Sequence, residues 1–196
     1  MKIGVLAIQG DFIEHIAILT KLGINSQQVR LPEQLEGLDG LIIPGGESTT
    51  LSRLMSMYHL REPVAQMAQQ HKTVWGTCAG MIMMAREITE EDPIPLQLMD
   101  IGVQRNAFGR QIDSFEQDLE ITRLNTPPFH AIFIRAPAII RVGDGVQVLA
   151  ELPDGRPVAV QRGNLLATSF HPELTNDTRF HQYFLDLAAT QAAGPD

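Results

Sequence analysis

Thr73-Val74-Trp75-Gly76-Thr77-Cys78-Ala79-Gly80-Met81 is the stretch on which the reading of this chain turns. Thr73 to Trp75 form a short strand ending at Gly76, and Met81 to Ala85 read as helical. Between strand and helix, Cys78 stands in the pattern Gly76-Thr77-Cys78-Ala79-Gly80. This is the sequence form of a nucleophile elbow, a turn so sharp that its central residue is held in a strained conformation. Small neighbours let the chain fold back on itself without clashes. The side chain then stands at the carboxyl end of the sheet, where open α/β folds bind their ligands. A helix N-terminus aimed at the sulfur favours thiolate. The Ala79 N–H is left for a developing oxyanion. A lone cysteine is otherwise most often a small buried hydrophobe, and the strand–turn–helix context separates Cys78 from that ordinary case.

Working outward, Ile3 to Ile8 is a nearly continuous apolar run, suited to a strand buried on both faces. Phe12, Ile16, Leu19 and Leu22 recur at helical spacing, and Gly23 stops that helix. Ser26 to Leu31 and Gly40 to Ile43 read as further strands. Pro44-Gly45-Gly46 breaks the latter, and Ser48 reads as the N-cap of a helix through Leu51, Leu54 and Met55. Glu62 to Gln70 reads as another helix. Strand and helix thus alternate over the first ~86 residues, which favours a parallel sheet covered on both faces. From about Ile101 the texture changes. Residues 132–134, 139–142, 146–149, 158–161 and 165–168 read as strands between Pro/Gly turns, with Asp154-Gly155 as a hairpin signal. Asp177 to Ala189 reads as an amphipathic helix. The fold expected is α/β: a three-layer α/β/α sandwich around a mostly parallel, flavodoxin-like sheet, with an antiparallel extension in the C-terminal half. Residues 1–196 read as a single domain, within the ~100–200 residues usual for one.

Composition narrows the function classes. Apolar residues make up 44% and charged residues 19%, which argues for a packed globular chain. Fifteen Lys+Arg against 23 Asp+Glu give a net charge of −8, which would repel a nucleic-acid backbone. No apolar run approaches the ~20 residues that cross a bilayer. The N-terminal run turns polar too soon, at Gln9-Gly10-Asp11, for a signal peptide. One cysteine excludes an internal disulfide framework and a multi-cysteine zinc site. A reducing, cytoplasmic setting and a chain without membrane or nucleic-acid partners are expected.

A cysteine nucleophile needs a base. Of the six histidines, His171 stands out in Ser169-Phe170-His171-Pro172-Glu173, directly after an apolar strand. The strand end is rigid, Pro172 stiffens the backbone beside the imidazole, and Glu173 could fix its tautomer as the acid of a triad does. A strand-end histidine that merely caps the next turn is the ordinary alternative. His15, His59, His71, His130 and His181 read as structural, lying on helix surfaces or beside turns. Pro44-Gly45-Gly46-Glu47-Ser48 ends the third strand at the same sheet edge, where glycines let backbone N–H groups approach a ligand. Gly46 N–H is the candidate second oxyanion donor beside Ala79.

Three ordered motifs, Pro44-Gly45-Gly46, Gly76-Thr77-Cys78-Ala79-Gly80 and His171-Pro172-Glu173, resemble those of the class I glutamine amidotransferase family, the Cys-His-Glu glutaminases. The likeness extends over almost the whole chain. Residues 7–12, 45–50, 105–111 and 133–137 are similar to the subfamily of glutaminase subunits of pyridoxal 5′-phosphate synthases. The resemblance implies a triad of Cys78, His171 and Glu173, and glutamine held by Gly46, Glu47, Ser48, Arg105, Ile134 and Arg135. It implies hydrolysis of L-glutamine to glutamate and ammonia with no metal or cofactor. It also implies a hetero-oligomer with a synthase subunit that takes up the ammonia, contacted or gated through Gln9 and Gly10. An arginine suits a substrate carboxylate, and Glu47 a substrate ammonium. Arg105 and Arg135 could equally form surface ion pairs. Met81, Met83 and Met84 read as flexible core filler, with an ammonia exit as the weaker alternative. An elbow-cysteine peptidase or glyoxalase-like enzyme, and a non-catalytic binding module, are the competing readings.

Overall fold

The computed structural model describes residues 1–105 and 114–193. In chain order they form β1 (Ile3–Leu6), α1 (Phe12–Lys21), β2 (Gln27–Val29), β3 (Gly40–Ile43), α2 (Ser48–Met57), α3 (Arg61–Gln69), β4 (Thr73–Thr77) and α4 (Ala79–Met84). Then come β5 (Ala85–Ile88), β6 (Met99–Gln104), β7 (Ser114–Leu119), β8 (Phe129–Ile134), β9 (Ala138–Val142), β10 (Gln147–Glu151), β11 (Pro157–Arg162), β12 (Leu165–Thr168) and α5 (Arg179–Ala193). Two single 3₁₀ turns, Pro32–Leu35 and Pro172–Leu174, complete the set.

The main sheet runs β10-β11-β12-β4-β3-β1-β2. Its five strands from β12 to β2 are parallel, and β11 and β10 add on antiparallel. Parallel strands covered on both faces need apolar side chains pointing both ways. Ile3, Val5, Ile42, Trp75 and Leu166 face one core, which α1 and α5 close with Leu19, Phe180, Phe184 and Ala188. Leu6, Leu41, Ile43, Val74 and Ala167 face the other, against Leu51, Met55 and Val64 of α2 and α3 and the apolar residues of α4. This is the expected three-layer sandwich with its antiparallel extension. Outside it lie a three-stranded sheet, β5-β6-β9, and a two-stranded ribbon, β7-β8.

Local expectations fail in instructive places. The helix expected over Met81 to Ala85 starts earlier, at Ala79, and Ala85 already belongs to β5. Helix α2 is capped by Glu47, not by Ser48, which is its first residue. The buried stripe of α1 is His15, Ile18 and Leu19, while Phe12, Ile16 and Leu22 are only partly covered. Strands β5, β6 and β7 have no counterpart in the sequence reading. Met81, Met83 and Met84 are fully buried among the core residues, as the packing reading expects.

What matters for the site is the shared edge. Strands β1, β3, β4 and β12 are parallel neighbours, so their carboxyl ends emerge side by side. Gly10, Gly46, Cys78 and His171 follow those four ends.

Candidate active site

Cys78 takes φ 48° and ψ −104°, a conformation that costs a side-chain-bearing residue on the order of 1–3 kcal/mol. The surroundings impose it. Its N–H donates to the Thr168 carbonyl at 2.8 Å, anchoring the turn to β12. Neighbouring backbones close in so tightly that a Cβ on Gly80 would lie 2.0 Å from the Ile43 carbonyl oxygen. A Cβ on Gly76 would meet the Gly80 backbone at 2.5 Å. Both elbow glycines are therefore set by close approach of backbone to backbone. Cys78 is 7% exposed, lining a cavity, and its sulfur points at the Ile134 carbonyl oxygen, 3.9 Å away.

His171 follows β12 across β4's partner register, Thr168 opposite Thr77, and its N–H donates to the Ile132 carbonyl at 2.9 Å. Its Nδ1 hydrogen-bonds the Glu173 carboxylate, at 2.6 Å to Oε1, and its ring lines the same cavity as Cys78. Burial opposes a charge on His171, but bonding and attraction to Cys78 and Glu173 outweigh it and lift its pKa to about 10. Burial pushes Glu173 upward, and the hydrogen bond from His171 pulls it back. Of the three residues expected to act together, Cys78 and His171 share one cavity and Glu173 is hydrogen-bonded to His171 behind it. Asp11 Oδ2 stands 3.5 Å from His171 Nδ1. Asp11, His171 and Glu173 offer oxygen and nitrogen atoms within 4.8 Å of one another. His171 Nδ1 is already engaged by Glu173.

A cavity of about 320 Å³ opens over the sulfur, at the small end of the ~300–1,000 Å³ usual for ligand sites. Gly46, Glu47, Ser48, Cys78, Ala79, Arg105, Ile134, Arg135 and His171 all line it, so nearly every expected site residue meets there. Asp11, Ile82 and Leu174 join them without having been expected. Glu173 lies behind the wall. A larger groove of about 620 Å³ between residues 32–38 and α3 has no cysteine or histidine in its lining. Chemistry, and not size, singles out the smaller one.

Glu47 and Arg105 form the charged rim. The Glu47 carboxylate caps α2, accepting from Thr49 N–H at 3.0 Å and Thr50 N–H at 2.6 Å. Burial opposes its charge, yet these bonds, Thr50's first, hold its pKa down to about 2. Arg105 Nη2 lies 3.4 Å from Glu47 Oε1, and Nη1 donates to the Asp92 carbonyl at 2.7 Å. Arg135 has φ 41° at the turn after β8. The rest of the Arg105 stretch, residues 106–111, lies outside the described residues.

Gln9 and Gly10 sit beneath the Gly46 loop. Gln9 Oε1 accepts from Glu47 N–H at 3.1 Å, while its Nε2 is buried without a hydrogen-bond partner. Gly46 has φ +145°, and a Cβ there would lie 2.6 Å from the Gln9 amide. The loops after β1 and β3 are therefore packed into one unit.

Of the histidines read as structural, His59 and His71 are exposed in turns at φ 56° and 60°. His130 is exposed on β8 between Asp118 and Glu116. His15 and His181 depart from the expectation: both are fully buried, His15 Nδ1 to His181 Nε2 at 2.9 Å, on the core stripes of α1 and α5. His15 Nε2 also stands 3.4 Å from Glu173 Oε2. Their signal was in the sequence, since each sits at core spacing from apolar partners, Ile18 and Leu19 for one, Phe184 and Leu185 for the other.

With this geometry in place, comparison with known proteins is decisive. The SNO glutamine amidotransferase family matches residues 5–189. The chain belongs to that family. It is 57% identical over 190 residues to pyridoxal 5′-phosphate synthase subunit PdxT of Herpetosiphon aurantiacus, covering 95% of this chain and 100% of the relative. The subunit of the same name from Moorella thermoacetica is 55% identical over 187 residues, covering 95% and 99%. A crystal structure titled as a glutamine amidotransferase superposes with a TM-score of 0.90 at 50% identity, covering 95% of this chain and 98% of that one. The PurLQS structure of Thermotoga maritima, at TM-score 0.72 and 16% identity, covers 94% and 97% and supports the fold alone. Among the described residues of this amidotransferase-family chain, no helix is long and apolar enough to cross a membrane.

Proposed function

We propose that this chain is the glutaminase subunit of a pyridoxal 5′-phosphate synthase. It hydrolyses L-glutamine to L-glutamate and ammonia and passes the ammonia to a synthase subunit. The observation that carries the reading is that Cys78 and His171 line one cavity with a charged rim, with Glu173 hydrogen-bonded to His171 behind it, in a chain of the amidotransferase family.

In this reading the substrate's side-chain amide enters the cavity and its two α-groups reach the rim. Arg105 takes the α-carboxylate by a charge-assisted contact, and Glu47, ionised down to about pH 2, takes the α-ammonium. Ser48, Ile134 and Arg135 complete the walls. The Cys78 thiolate attacks the amide carbon, and the oxygen's new charge is held by Gly46 and Ala79 N–H groups. Losing one such donor typically raises a barrier by ~2.7–4 kcal/mol. The His171 imidazolium gives its proton to the departing nitrogen, and ammonia leaves with a thioester behind it. His171 then takes a proton from water, hydroxide attacks the thioester, and glutamate is released with the thiolate restored. Glu173 orients His171 throughout.

Free ammonia in neutral water becomes ammonium, which is no nucleophile. A glutaminase of this size makes chemical sense when docked on the enzyme that uses the product. Gln9 and Gly10, packed against the Gly46 loop, are placed for docking to act on the oxyanion donors. The test measures glutamate release by the purified chain with and without its synthase subunit, and weighs the protein after exposure to a glutamine-like electrophile. We expect release that depends on Cys78 and an adduct on that sulfur. No adduct and no release in either state would sink the proposal.

A further inference from the structure

Glu173 has two carboxylate oxygens, and the triad uses one of them. Oε1 accepts from His171. Oε2 is buried with no hydrogen bond of normal geometry, on a side chain of 0% exposure. The group that faces it is the ring of His15, with Nε2 3.4 Å away. We propose that His15 is a positioning residue for the reaction: its Nε2–H, hydrogen-bonded to Thr77 Oγ1, also faces Glu173 Oε2 and steadies the carboxylate that orients His171. The inference rests on the glutaminase reading.

Proton accounting decides which way the hydrogen bonds run. Burial drives both imidazoles towards the neutral form, with the His181 charge a further burden on His15 and the pKa of His181 pushed down to about 3. A neutral imidazole carries one N–H and one bare nitrogen. Between His15 Nδ1 and His181 Nε2, 2.9 Å apart, one must donate. Were it His15, its Nε2 would turn a lone pair towards the Glu173 carboxylate. His181 Nδ1, buried without a partner, would then carry an orphaned N–H. With His181 donating, His15 Nε2–H bonds Thr77 Oγ1 at 3.2 Å and lies 3.4 Å from Glu173 Oε2, and His181 Nδ1 is merely a bare acceptor. Buried acceptors go unsatisfied more readily than buried N–H groups. Every donor in the line then runs towards the carboxylate, from α5 through α1 to the triad.

Around Glu173 stand His171 and Cys78 from the sheet edge, Asp11 from the loop after β1, His15 from α1 and, behind it, His181 from α5. Burial and Asp11 both favour a proton on Glu173, while the donors favour the carboxylate. Removing the His15 donor leaves Oε2 facing no N–H. The carboxylate then takes up a proton at higher pH and holds the His171 imidazolium less firmly. Protonation of Glu173 then closes the active pH range at a higher pH on the acid side, and the weaker hold on His171 closes it at a lower pH on the alkaline side.

The experiment measures kcat and KM for glutamate release from pH 5 to 10, using the full chain with its synthase subunit. It compares the parent chain with Cys78→Ala, His15→Leu, His15→Gln and His15→Asn. A glutamine amide nitrogen reaches the place of Nε2 and an asparagine amide only that of Nδ1, so the two polar variants separate the bond to Glu173 from the bond to His181. We expect His15→Leu to lower kcat about tenfold with KM little changed, and to draw both limbs of the pH profile inward. His15→Gln should recover most of the rate and width, and His15→Asn should not. Equal profiles for the glutamine and asparagine variants, or a leucine variant that loses only thermal stability, would overturn the role given to His15. If the parent chain and Cys78→Ala release glutamate alike, the glutaminase reading fails first and takes this inference with it.

Discussion

Cys78 concentrates the strain of the elbow and, in the proposed reaction, its chemistry in one residue. Its backbone at φ 48° is held by the anchor to Thr168 and by two glycine contacts, so replacing the sulfur alone leaves the turn intact. Cys78→Ser should therefore keep the circular-dichroism spectrum and lose glutamate release by about three orders of magnitude or more. A serine variant of near-parent rate would remove the nucleophile from the mechanism. In the proposed reaction Arg105 serves binding and not the reacting bonds. Losing a charge-assisted contact costs about 1.5–3 kcal/mol, so Arg105→Ala should raise KM roughly 10- to 100-fold with kcat little changed. At this scale the sequence was most legible where geometry demands a residue type. Glycines at 76 and 80 have no room for a Cβ, and the motif could be read without coordinates. His15 and His181 were not legible. A histidine on an apolar stripe looks the same in sequence whether it is filler or part of a proton line, and only the second helix's approach decides.

At the scale of elements, the recurring logic is a strand that ends where a helix or turn begins. The cap of α2 shows what residue patterns miss. Ser48 fits the hydroxyl cap, but a carboxylate has two oxygens and Glu47 uses both, one on Thr49 N–H and one on Thr50 N–H. Losing such a cap costs about 0.5–2 kcal/mol. Glu47→Ala should lower Tm by roughly 2–6 °C for a chain of this size, and Glu47→Gln, which keeps one acceptor, by less. A calorimetric Tm unchanged in both would mean that the cap adds nothing to α2. Strands β5 and β7 escaped the sequence reading for a related reason. Arg86, Glu87, Glu116 and Asp118 face solvent on sheets covered on one side, so polar residues dilute the apolar signal that marked the doubly covered strands. The parallel strands β1, β3, β4 and β12, buried throughout, stood out for the opposite reason.

For the molecule as a whole, burial of its histidines sets how stability responds to pH. His181 has a folded pKa of about 3, below the ~6.5 of an unfolded histidine, and His15 is shifted in the same direction. Across that window the unfolded chain binds protons that the folded one refuses. Stability from the pair is therefore full above ~6.5 and falls as the medium is acidified, by about 1.4 kcal/mol per pH unit for each histidine. His171 works in reverse. Its folded pKa of about 10 lies above the unfolded value, so its contribution is full below ~6.5 and is lost as pH climbs through about 10. Glu173, raised by burial, opposes the pair on acidification, so differences between variants carry the test. His181→Phe should flatten the dependence of Tm on pH between about 6.5 and 4 and leave the alkaline side as it was. Cys78→Ala removes a partner that lifts His171, and should flatten the alkaline side alone. The two helices and the sheet edge thus impose separate limits on the same fold. An acid slope that survives His181→Phe unchanged would place the acid sensitivity elsewhere in the chain.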